Sequence, residues 1–284
     1  MAVETLTSVP SLGPVLARGA LAGSSSGSTL PDVALRVTPA IDRADLLEYQ
    51  RLCGFEGGDV LPHTYPHIVS FPLQMTLMAR RDFPLSMAGL VHVENEIEVL
   101  RRLTADDALE ITVSADRLVG HPRGRVVEMV TQARVDGELV WQGRSSYLSR
   151  GKGDPEAERS QPPATPKGLP AQQWRLPSGF GRRYAAVTGD VNPIHMSNVT
   201  AKAMGFPRAI AHGMWTYART LAALGPQTSE PGTSHVWFKK PLLLPGVVDL
   251  VVQQPETEGG QVLAGLRGAR KKDTEHLVLT FDPA

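Results

Sequence analysis

Two stretches of the chain read as successive strands. Leu109–Val119, Arg125–Val135 and Glu138–Leu148 are strand-like, and Val247–Val252, Val262–Arg270 and His276–Phe281 play the same part in the second half. In an extended chain successive side chains point to opposite faces, so such runs predict strands with one buried side. Asp136-Gly137 is a strong hairpin turn between two of them, and Lys272-Asp273 lies near a second turn. Met214–Leu224 has a different texture. Met214, Trp215, Tyr217, Ala218, Leu221, Ala222 and Leu224 cover nearly the whole circumference of a helix, which predicts burial. A shorter helix is expected over Ser197–Gly205, with Asn198 as N-cap and Gly205 as stop. Another is expected over Phe71–Ala79. Helices followed by antiparallel strands argue an α+β class rather than α/β.

Two polar segments divide the chain. Ser24-Ser-Ser-Gly-Ser28 reads as a flexible linker or surface loop. Gly151 to Pro170 is rich in Pro, Gly and charge and reads as a connection. The expected organisation is a first half over 1–150 with a flexible N-terminal segment, a linker over 151–171 and a second half over 172–284. Residues 1–30 are left open between disorder and packing across the first sheet. The halves repeat weakly: Tyr65-Pro66 through Ala79 matches Phe206-Pro207 through Ala218, and His92-Val93 falls where His235-Val236 falls. The offsets are 141 and 143 residues.

Composition narrows the function. The 284 residues are 42% hydrophobic and 20% charged, with a formal net charge of zero. That suits a globular core and supplies no basic field for nucleic acid or anionic membrane. A lone cysteine, Cys53, excludes an intrachain disulfide and a cysteine-based zinc site, and points to a reducing cytoplasm. No run of 18 apolar residues is present, and the N-terminus does not read as a signal peptide.

The chemistry concentrates in Tyr184-Ala-Ala-Val-Thr-Gly-Asp-Val-Asn-Pro-Ile-His195. Asn192-Pro193 cannot be helical and favours a turn, so Asp190 and His195 stand at its two ends. A carboxylate and an imidazole converging on one water make a general acid/base pair. Downstream, Gly213 opens the apolar helix, where unpaired N–H groups favour developing negative charge. Acid, imidazole and an oxyanion-type donor then fall within one short segment.

Tyr-x-x-x-Thr-Gly-Asp-x-Asn-Pro-x-His, then Gly205-Phe206, then Ala211-His-Gly-Met214, resembles the signature of the MaoC-like (R)-specific enoyl-CoA hydratases. Val236-Trp-Phe-Lys-Lys-Pro-Leu-Leu-Leu-Pro-Gly246 is similar to that family's strand and Pro-Gly turn. The resemblance covers residues 172–284. It implies a hot dog fold, a curled antiparallel sheet around one long helix, here Met214–Leu224, and a double hot dog for the whole chain. It also implies reversible syn hydration of a trans-2-enoyl thioester to an (R)-3-hydroxyacyl thioester, with no metal or redox cofactor. Asp190 and His195 would share the water, Gly213 would polarise the thioester carbonyl and Asn192 would support the loop. Tyr184, Gly189, Pro193, His212 and Met214 are placed in the substrate pocket. Arg208, Lys239 and Lys240 are candidates for phosphates of coenzyme A or of a carrier protein's arm. A pseudo-dimer within one chain is implied, with a homodimer left open.

The first half departs from the pattern. Aligning Tyr49 with Tyr184 puts Phe55 at the position of Asp190, and Phe71-Pro72 stands where His212-Gly213 stands. His63 and His67 lack a carboxylate at the right spacing and are expected to be structural or on the surface. This half is therefore expected to be non-catalytic, with Leu73, Met75, Leu77 and Met78 either lining room for an acyl chain or packing the core. A hot-dog thioesterase and a non-catalytic acyl-binding subunit are the alternative readings.

Overall fold

A computed structural model describes residues 1–21, 27–87, 89–255, 257 and 259–284. Most of the Ser24–Ser28 run lies outside the described residues. Among them the strands are β1 (Ala2–Thr5), β2 (Val33–Val37), β3 (Leu90–Val99), β4 (Glu110–His121), β5 (Gly124–Val135), β6 (Glu138–Arg150), β7 (Gln172–Leu176), β8 (Gly232–Phe238), β9 (Gly246–Gln253), β10 (Val262–Gly268) and β11 (Glu275–Pro283). The helices are α1 (Leu12–Leu21), α2 (Arg43–Cys53), α3 (Tyr65–Met78), α4 (Phe180–Thr188), α5 (Pro193–Met196), α6 (Asn198–Ala203) and α7 (Gly213–Leu224). Helices with a mixed sheet give the α+β class expected.

The chain forms two compact units. The first contains Met1–Ile41, Tyr65–Ile97 and Asp106–Gln161; the second contains Asp42–Thr64, Glu98–Ala105 and Pro162–Ala284. The units therefore do not follow the expected halves. α2 and the loop after it group with the second unit, where Trp215 Nε1 donates to the Leu52 carbonyl at 3.1 Å and Arg219 Nη1 to that of Cys53 at 3.3 Å.

In the first unit the strand order is β1-β2-β4-β5-β6-β3. β1 runs parallel to β2, Ala2 opposite Val33, while β2-β4-β5-β6 are antiparallel. The N-terminal residues thus extend the sheet at its edge. The β5–β6 hairpin closes on Asp136 and Gly137, with φ of 51° and 83°, the positive pair that a tight hairpin turn needs.

α3 packs on β2, β4 and β5. It begins at Tyr65, six residues before the expected Phe71, because Pro66 sits in the first turn, where no N–H is required. Phe71-Pro72 is consequently mid-helix, whereas Gly213 stands at the start of its own helix. Leu73, Met75, Leu77 and Met78 are buried, but so are His67, Ser70 and Gln74. Tyr147 donates its hydroxyl to Gln74 Oε1 at 2.8 Å, and Gln74 Nε2 donates to Thr131 Oγ1 at 3.1 Å. The His92 ring stacks between those of His67 and Tyr147, at 5.8 and 4.6 Å. His67 is thus a core residue and not a surface one.

In the second unit the order is β8-β11-β10-β9-β7, all antiparallel. α7 packs on β11, burying Met214, Trp215, Tyr217, Ala218 and Leu221. The Tyr217 hydroxyl meets Ser234, and Trp215 stands edge-on to Trp174 and Phe180. His63 is also buried; its Nε2 donates to the Glu230 carbonyl at 2.7 Å. Cys53, at the end of α2, is fully buried beside Tyr49, and burial pushes its thiol up to about 12.

Candidate active site

α4 delivers the chain into the Asp190–His195 loop and stops at Gly189, whose φ of 74° is open to glycine without strain. Local hydrogen bonds then shape the loop. Asp190 N donates to Thr188 Oγ1 at 3.4 Å, and Asn192 N donates to Asp190 Oδ1 at 3.2 Å. Asn192 Oδ1 accepts from Ile194 N at 3.3 Å, so Asn192 caps α5, with Pro193 in its first turn. His195 lies one turn on and is buried. Gly181 lets α4 approach this turn: a Cβ there would stand 2.1 Å from the His195 carbonyl oxygen.

The loop folds against the segment that leads into α7. Ile210 N donates to Ile194 O at 3.1 Å, and Ala211 N to Leu242 O at 2.9 Å. His195 Nδ1 donates to the Ile210 carbonyl at 2.8 Å. A carbonyl only accepts, so Nδ1 carries the proton and Nε2 of the neutral ring keeps its lone pair. His212 Nε2 donates to the Asp190 carbonyl at 3.0 Å and lies 3.7 Å from Asp190 Oδ2. The His195 and His212 rings stack at 3.6 Å, and Tyr184 lies 4.6 Å from His212. Polar atoms of Asp190, His195 and His212 all come within 4.8 Å of one another.

Electrostatics separates these groups. Burial raises the Asp190 carboxyl above its ordinary value, partly opposed by His195 and the Asn192 N–H. Burial lowers His195 to about 3, with His212 adding to the fall, and lowers His212 to about 4. Both imidazoles are therefore neutral near pH 7. Two histidines and a carboxylate are a donor set that binds cations. Nδ1 of His195 and Nε2 of His212 donate to carbonyl oxygens, which leaves Nε2 of His195 and Nδ1 of His212 with their lone pairs.

Gly213 opens α7, placing its N–H among the unpaired donors of a helix start. A Cβ at Gly213 would come within 3.1 Å of the Phe238 ring. Met214 and Tyr184 are buried. Gly189, Pro193, Arg208 and Lys240 are exposed. Lys239 is occupied: its ammonium contacts Glu275 Oε2 at 2.7 Å and Thr165 Oγ1 at 3.2 Å. The expected N-cap of α6 shifts by one. Ser197 caps it through Thr200 N, while Asn198 accepts from Ala209 N at 2.9 Å. The Ile210 carbonyl and the His212–His195 stack were not foreseen; a backbone acceptor and a ring contact across 17 residues leave no mark in spacing.

A family profile described as MaoC like domain matches residues 161–266. The 3-hydroxyacyl-thioester dehydratase X of Mycobacterium tuberculosis is 36% identical over 247 residues, covering 86% of this chain and 88% of that protein. The chain belongs to the MaoC-like dehydratase family. A crystal structure of HtdX from M. tuberculosis, 34% identical, superposes with a TM-score of 0.76 over 88% of this chain and 100% of that one. The peroxisomal enoyl-CoA hydratase 2 of Arabidopsis thaliana is 28% identical over 152 residues, 48% of each chain. A MaoC-like dehydratase from Phytophthora capsici shares the fold, with a TM-score of 0.71 at 21% identity over 90% of this chain and 96% of that one. In this MaoC-like chain the profile spans the whole Asp190 loop, α7 and β8.

Proposed function

We propose that this MaoC-like protein is a hydro-lyase that reversibly hydrates trans-2-enoyl thioesters of fatty-acid type to (R)-3-hydroxyacyl thioesters. The observation that carries this reading is the convergence of Asp190 and His195 beside the first N–H groups of α7. Water is a poor nucleophile, and C3 of an enoyl thioester becomes electrophilic only when the carbonyl is polarised. The Gly213 N–H supplies that polarisation at the positive end of α7. Water sits between the Asp190 carboxyl and His195 Nε2. As its oxygen bonds to C3, an O–H bond breaks and the proton enters the pair. A proton from the pair bonds to C2 on the same face, giving syn addition with no net gain or loss of protons. The pair titrates as a unit, so the proton belongs to both groups. Asn192 and His212 hold the loop and the imidazole in place.

The double hot dog belongs to this reading, with catalysis in the second half and none in the first. The support is that the Asp190–His195 loop has no counterpart around Phe55. A cytoplasmic setting rests on the lone cysteine; among the described residues no helix is long and apolar enough to cross a membrane.

The test follows enoyl-thioester absorbance with crotonyl-CoA and a longer trans-2-enoyl-CoA, then resolves the product by chiral analysis. Decay with an (R)-3-hydroxyacyl product is expected. Release of free CoA in place of hydration would make the protein a thioesterase and overturn the reading.

A further inference from the structure

The charges of this chain balance in total but not along its length. From Pro162 to Ser229 there are seven basic residues and one acidic residue, and that residue is Asp190 of the catalytic loop. Arg182 and Arg183 on α4, Lys202 on α6 and Arg208 in the loop after it are all exposed. Arg182 Nη1 donates to the Met196 carbonyl at 2.9 Å, tying α4 to the end of α5. Among the described residues no carboxylate pairs with Arg183, Lys202 or Arg208. The same stretch exposes large apolar side chains: Val191 at 38%, Val199 at 78% and Met204 at 38% of their surface. Val191 directly follows Asp190, so this surface adjoins the reactive loop.

Within this segment basic and apolar side chains are exposed and no exposed acid stands between them in sequence. The exposed acids of α2, which packs on α4, are Asp45 and Glu48, and a partner complementary to the segment itself is acidic and apolar in turn. The phosphates of a free nucleotide would use the cations and gain nothing from Val199 or Met204. Lys239, one cation expected to serve phosphates, is already neutralised by Glu275. An acidic amphipathic helix uses both kinds of side chain. We propose that the α4–α6 surface docks an acidic acyl carrier protein, whose phosphopantetheine arm then presents the thioester to the Asp190 loop. The inference rests on the hydratase reading and specifies the carrier of its substrate. Long-range attraction between opposite fields speeds such encounters and weakens with salt.

The test compares one trans-2-enoyl chain carried by acyl carrier protein and by coenzyme A. Wild-type protein is set against the double variant Arg183→Glu, Lys202→Glu and the single variant Val199→Glu, all at exposed positions. With the carrier-protein substrate, KM should rise at least about tenfold in the double variant and several-fold in Val199→Glu, with kcat nearly unchanged. Raising salt from about 0.05 to about 0.5 M should raise the wild-type KM for that substrate alike. With the coenzyme A substrate, the variants should stay within about twofold of wild type, which also shows that they fold. Equal losses on both substrates would assign the cations to nucleotide phosphates and overturn the proposal. So would a carrier-protein KM that ignores the substitutions. If wild-type protein turns over neither thioester, the hydratase reading itself falls, a result distinct from both of these.

Discussion

Burial acts in opposite directions on Asp190 and His195, the two groups proposed to react. It raises the Asp190 carboxyl and lowers the His195 imidazole to about 3. The acid limb of kcat/KM is therefore expected to report the Asp190–His195 pair as a unit, with no inflection near the usual histidine value of 6.5. A pH–rate profile checks this; an inflection at pH 6–7 would show a solvated His195. Asp190→Asn keeps the shape of the loop but removes the carboxylate. It should lower kcat by about 10² to 10⁴ while a saturated acyl thioester still binds, measured by calorimetry. Undiminished turnover would remove Asp190 from the chemistry.

The elements show how one missing Cβ positions a site. Because the oxygen facing Gly181 is backbone, no side-chain rotation relieves the contact that Gly181→Ala creates. α4 must move away from α5, and a loss of roughly 1–3 kcal/mol is expected, as for other overpacked contacts. Urea unfolding should show it, together with a fall in kcat from the displaced His195. Much at this level was legible beforehand. The Asp190–His195 turn announces itself through Asn192-Pro193, and α7 through an apolar surface all round, because both are local properties. α3 hid its start because Tyr65-Pro66-His67-Ile68 carries no break in texture before Phe71. Ser197 and Asn198 are both good caps, and the choice between them is made by Ala209, eleven residues away. The burial of His63 and His67, and the grouping of α2 with the second unit, depend on partners distant in sequence.

At the scale of the whole molecule, buried imidazoles set the response to acid. His63, His67 and His212 are lowered to about 4 and His195 to about 3, each chiefly by burial. Unfolded, each takes up a proton near 6.5. Between these values the unfolded chain binds more protons than the folded one, so stability is full above about pH 6.5 and falls as pH drops towards 4. Each group contributes a slope of about 1.4 kcal/mol per pH unit in that window. The raised Asp190 offsets part of this below its own pKa. Urea midpoints should decline steadily from pH 7 to pH 5, and a flat profile would mean that these rings are solvated.

Cys53 gives the molecule a clock. It is the chain's one thiol, it has no exposed surface, and its proton is held up to about pH 12. Only a thiolate reacts quickly with a disulfide reagent such as dithionitrobenzoate, so the closed protein is expected to be silent towards it. Colour then develops only when α2 lifts from Trp215 and Arg219. With reagent in excess, its rate counts those openings, and an acyl ligand that tightens the second unit should slow them.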